Sequence, residues 1–216
     1  LTATRTLMDA ASLARELGAW QWLGRSAWLV ASWGEAAGNA FDLASLVEEG
    51  LARVPETELA LRAALLARRA ELGRDLDRNA RRALYLEAQR LAELADSPEA
   101  LLDVAAARAA QRDPAQLADS RAAVAAYREL EHRFPDPRHH AQDRRIRAFG
   151  LGLTEYWYAL ISGDLSAADV ALRQCAASAA LFRAPQLSLI VGVLLAGRAI
   201  GDGRLDDASV CIERLH

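Results

Sequence analysis

Along the 216-residue chain, apolar residues return at intervals of three and four. Ala80, Leu84, Ala88, Leu91 and Ala95 form one such row, and Leu165, Ala168, Leu172, Cys175 and Phe182 form another. Residues at those intervals share one face of an α-helix, so each row predicts a helix with a buried stripe. No stretch alternates apolar and polar positions as a half-buried strand does. Helix starts are marked as well. "SPE" at 97–99, "DPA" at 113–115 and "DPR" at 136–138 each put Ser or Asp at the N-cap and proline at the first helical position, where its missing N–H costs nothing. "APQ" at 184–186 is a weaker start, and Thr57 and Asp77 are further candidate caps. The pattern predicts eleven helices, near 3–17, 19–33, 42–54, 57–73, 77–95, 98–112, 114–134, 138–162, 165–182, 185–200 and 205–215.

The second of these, "AWQWLGRSAWLVASW", holds Trp20, Trp22, Trp28 and Trp33, four of the five tryptophans. At about 100° per residue, Trp22 and Trp33 nearly superimpose, while Trp20 and Trp28 gather roughly 150° away. A helix apolar on two sides is expected to have neighbours on two sides. Core and inter-repeat packing is one reading of the four rings, and an interface toward a preceding domain is the other.

The helices also repeat. "GDLSAADVALRQC" and "GRLDDASVCIERL" share a frame in which Leu165, Ala168, Leu172 and Cys175 correspond to Leu205, Ala208, Ile212 and Leu215, a shift of 40 residues. First helices of pairs beginning near 19, 57, 98, 138 and 185 give steps of about 38 to 47, the range of helical-hairpin repeats. The fold class expected is all-α, an α-solenoid of about five helix pairs, in which no repeat buries its apolar face alone. Small residues at the interhelix positions, the "G-D-x-x-x-A" turn at 163–168, and "LRAALLARRAELGRD" followed by "RRALYLEAQRLAELADSPEALL" resemble degenerate tetratricopeptide repeats. More narrowly, they resemble the helical region of the large ATP-binding, maltose-activator-like regulators of the LuxR family. That resemblance implies repeats lying between a nucleotide-binding module and a DNA-binding helix-turn-helix module of a parent chain, and receiving inducers or regulatory proteins. The chain holds no G-x-x-x-x-G-K-S/T, and no catalytic or DNA-contacting residue carries over. Because it starts at Leu1 without methionine and ends at "CIERLH" in mid-pattern, residues 1–216 are expected to be a single repeat domain taken from a longer multidomain protein.

Composition narrows the function classes. A chain 52% hydrophobic and 25% charged has ample material for a core. Its formal charge of −3 argues against direct nucleic-acid binding, which clustered positive charge dominates. All 26 basic residues are arginine, which suggests a GC-rich bacterial gene and removes Schiff-base chemistry. Cys175 and Cys211 are too few for a disulfide framework and read as small buried hydrophobes in a reducing cytoplasm. The longest apolar run, "LSLIVGVLLAG" at 187–197, falls short of the ~20 residues that span a bilayer, so no membrane partner is expected. G-x-S-x-G, H-E-x-x-H and C-x-x-C are absent, and "GDGRLD" at 201–206 follows no strand, so neither catalysis nor a cofactor is expected.

Three constellations remain. His139, His140 and Asp143 include one i,i+4 pair, but two ligands do not close a zinc site, and a solvated helix start is the simpler reading. "HRFPDPRHHAQDRRIR" at 132–147 is locally basic, a phosphate or acidic-partner site or else a solvent face. "EYWY" at 155–158 is more informative, because three consecutive aromatics cover about 200° of helix and no single seam takes them all. At least one of Tyr156, Trp157 and Tyr158 is expected to line a groove or a second packing layer, with Glu155 beside it and Arg147 two to three turns earlier. The expected function is effector sensing or protein interaction within a multidomain bacterial transcriptional regulator. The ligand would be a small-molecule effector or a partner protein, with a homo-oligomer as a further candidate. The alternative is a pure protein-interaction scaffold with no small-molecule site.

Overall fold

The computed structural model describes residues 2–33, 40–73, 75–110, 117–134, 141–182 and 185–213, and within them leaves out the side chains of 2–4, 32–33, 40–42, 117, 120, 141–147, 182 and 185–186. The described residues form eleven α-helices and no strand. In order these are α1 (Thr2–Glu16), α2 (Trp20–Trp33), α3 (Ala40–Arg53), α4 (Leu59–Leu72), α5 (Arg78–Leu94), α6 (Pro98–Ala109), α7 (Leu117–Arg133), α8 (Ala141–Ile161), α9 (Leu165–Phe182), α10 (Pro185–Gly201) and α11 (Leu205–Glu213).

Local chemistry explains where they begin. The Asp77 carboxylate accepts from the Ala80 N–H at 2.8 Å and the Ser97 hydroxyl from the Ala100 N–H at 3.2 Å, each satisfying a first-turn donor. Asp164 does the same for Ala167 at 2.9 Å. Thr57 is not a cap: α4 starts two residues later, behind Glu58, whose side chain makes no capping bond. The starts expected at Asp113 and Asp136 lie outside the described residues.

Four helix ends share one turn. At Gly18, Gly163 and Gly203 the backbone turns left-handed, with φ of 63°, 75° and 75°, and Asp96 takes φ 47° in the same role. Around Gly163 the Asp164 N–H donates to Ala159 O and the Gly163 N–H to Leu160 O; around Gly203 the bonds are Arg204 to Ala199 and Gly203 to Ile200. This pair of bonds satisfies the last carbonyls of a helix and reverses the chain within three residues. It joins α1 to α2, α5 to α6, α8 to α9 and α10 to α11. The 40-residue frame is therefore reproduced to the hydrogen bond between α8–α9 and α10–α11, while the earlier tight turns fall between helices that the sequence assigns to different pairs.

The chain divides into two compact units. The first comprises residues 1–111 and 120–134, the second 112–119 and 135–216. In the first, Ala11, Leu23, Ala27, Val30, Val47 and Leu65 gather α1 to α4 around one core, and Ala63, Ala67, Tyr85, Ala88, Ala92 and Ala107 gather α4 to α6 around another. Small side chains let these helices approach closely. A Cβ on Gly24 would come within 2.5 Å of Val54 Cγ2, and one on Gly50 within 3.5 Å of the Gly24 Cα, so α2 and α3 cross where both lack one. Ion pairs tie the same helices: Arg15 of α1 reaches Glu49 of α3 at 2.6 Å, and Arg69 of α4 reaches Glu48 at 2.7 Å. In the second unit, Phe149, Leu153, Cys175, Ala179 and Val191 make one cluster, and Tyr156, Ala159, Ala168, Ala171 and Leu172 the next, both built from α8 and α9 with α10 against them.

Candidate functional site

The aromatic run lies on the last turns of α8, and its three rings part ways. Tyr156 and Tyr158, about 200° apart on the helix, are both buried. Tyr156 enters the α8–α9 seam with Ala159, Ala168, Ala171 and Leu172. Trp157 is packed partly against the same cluster, edge-on to Tyr156 with ring centroids 5.7 Å apart, and keeps part of its ring exposed. Glu155 is half-buried one position earlier. Of the run, Trp157 and Glu155 are thus the members with surface to offer a ligand. The two tyrosines are thus buried on different sides of α8.

Arg147 belongs to α8, but its side chain lies outside the described residues, as do those of Phe182 and Asp143 and the whole of His139 and His140. The arginine brought to Tyr156 is a different one. Arg198, from α10, donates through Nε to Asp169 of α9 at 2.9 Å and also pairs with Asp202. Burial raises the Tyr156 phenol above its ordinary value, while the Arg198 charge works in the opposite direction. Sequence spacing could not find Arg198, because its approach to Tyr156 depends on α10 packing over α9. Its one visible signal was being the single charge in a strongly apolar helix.

Cys175 lies one turn further along this seam, in the neighbouring cluster. Its thiol faces the Phe149 carbonyl at 3.8 Å, and burial, with the Glu155 charge adding, pushes it up to about 11. A thiol so raised stays protonated near neutrality and is a poor nucleophile, in line with its reading as a small hydrophobe. Gly152 makes room for it, since a Cβ there would come 2.8 Å from the sulfur.

The tryptophans of α2 divide in the same way. Trp20 and Trp28 pack against the first core, together with Leu7, Met8 and Leu51. Trp22 is 62% exposed, with the Arg25 guanidinium 5.2 Å above its ring. Arg53 lies 4.8 Å over Trp20, and Gln21 donates to Glu58 at 2.6 Å alongside. Two apolar sides on α2 therefore do not mean two covering helices at Trp22, because an arginine one turn onward lies over the ring instead. The Trp33 side chain lies outside the described residues.

The sequence also gave no hint of a buried ionic cluster in the first unit. Arg68 of α4 pairs with Glu71 and lies near Asp103 of α6 and Tyr85 of α5, with Arg68 and Asp103 both buried. Burial disfavours the Arg68 charge, and the two carboxylates more than offset it. Tyr85 donates its hydroxyl to Ala107 O at 3.1 Å. Among the described residues, no three His, Cys, Asp or Glu side chains come together as a metal site, and no helix is long and apolar enough to cross a membrane. No protein-family model, curated protein or solved structure matches the chain.

Proposed function

We propose that this chain is the sensing or interaction domain of a multidomain transcriptional regulator, an α-solenoid that acts by binding a partner and not by catalysis. The observation that carries the reading is the α2 surface. An exposed Trp22 under Arg25, next to Trp20 under Arg53, presents the two side-chain types that most often anchor protein interfaces. A partner segment with an apolar side chain beside a carboxylate meets both chemistries at once. Buried tyrosines on different sides of α8 and the turn repeated at Gly163 and Gly203 support a stacked-hairpin architecture. The regulator context comes from the resemblance of the repeats. In that context a bound partner favours one arrangement of the helices, and nucleotide-binding and DNA-binding modules of the parent respond. The half-exposed Trp157, next to Glu155, favours a second reading, in which the ligand is a small planar effector.

Deleting residues 1–216 in frame from the chromosomal gene and measuring message levels across the genome tests the regulator reading. It expects a defined set of transcripts to change, and an unchanged profile overturns it. The isolated chain, at net charge −3, is expected to bind duplex DNA only feebly at physiological salt. Nanomolar binding to a promoter fragment overturns its assignment as sensor and makes it the reader.

A further inference from the structure

We draw no further inference here: the strongest candidate, the surface patch of exposed aliphatic side chains Leu189, Val193 and Ile200 on α10, is an unpartnered apolar face, and nothing in the structure shows what covers it.

Discussion

Replacing Arg68 by methionine removes a buried cation that pairs with Glu71 and lies near Asp103. Methionine fills most of the volume of the arginine stem, so the loss reports on charge more than on a cavity. Asp103 is buried and cannot turn to water, and Glu71, at 15% side-chain exposure, can do so only in part. Removing one partner of a buried ion pair typically costs about 3–5 kcal/mol, because the remaining charge is left uncompensated. With a urea slope of about 2 kcal/mol/M, the unfolding midpoint falls by about 1.5–2.5 M. Tryptophan fluorescence is well placed to see it: Trp20, Trp22, Trp28 and Trp33 all belong to the unit that contains Arg68, and Trp157 alone belongs to the other. The double variant Arg68→Met, Asp103→Asn removes a buried carboxylate charge as well and is expected to regain at least half of the loss. A loss under about 1 kcal/mol in the single variant, or no recovery in the double, refutes the view that Arg68 holds the cluster by neutralising buried carboxylates.

Three further outcomes follow from the geometry. The Arg15 hydrogen bond holds the Glu49 carboxyl below its ordinary value of 4.5, so the stabilisation from the pair is complete above that value and is lost as pH falls through the lowered one. Because Arg15 is 38% exposed, screening limits it to about 0.5 kcal/mol, read as the gap between wild-type and Glu49→Gln urea midpoints, which should close in acid. Gly152→Ala is expected to cost about 1–3 kcal/mol by driving a methyl into the Cys175 sulfur, and Cys175→Ala in the same chain should restore most of it; no rescue means the strain lies elsewhere. Tyr156→Ala should cost about 3–5 kcal/mol as a core truncation and Trp157→Ala clearly less, compared by urea unfolding of the second unit through helical circular dichroism, and equal losses would show that Trp157 is core as well.

Helices were legible in the sequence because their signals are local. Spacing of three and four marks the stripes, and Asp77 and Ser97 cap the helices they precede. Which side of a helix is covered is not local. Trp22 and Trp28 look alike in sequence, yet one lies under Arg25 at the surface and the other against the core, because the helices packed on α2 leave the Trp22 position open. The same limit applies to "EYWY": spacing established that three rings could not share a seam, and it left open that both tyrosines would be buried on opposite sides. The Arg68 cluster was invisible for a stronger reason. Composition treats charged residues as surface, and the exception depends on α6 bringing Asp103 to an arginine on α4.

The all-arginine basic set, read from sequence as a mark of genomic composition, has a structural consequence of its own. Arg62 donates Nη1 to both Leu51 O and Val54 O at 3.0 Å, closing the C-terminal end of α3 from α4. Arg69 reaches Glu48 and Asp75 through different nitrogens, and Arg198 does the same with Asp169 and Asp202. In each case one planar guanidinium joins two partners, and Arg69 and Arg198 join two on separate segments, a geometry that a lysine ammonium, as a compact charge on a flexible stem, reproduces poorly. Alanine-rich seams bring these helices close but supply little apolar area per residue, since alanine adds only a methyl. Two-partner arginines at the rims of those seams fix the register that small side chains leave loosely specified. The alanine seams and the all-arginine basic set are thus complementary parts of one packing scheme.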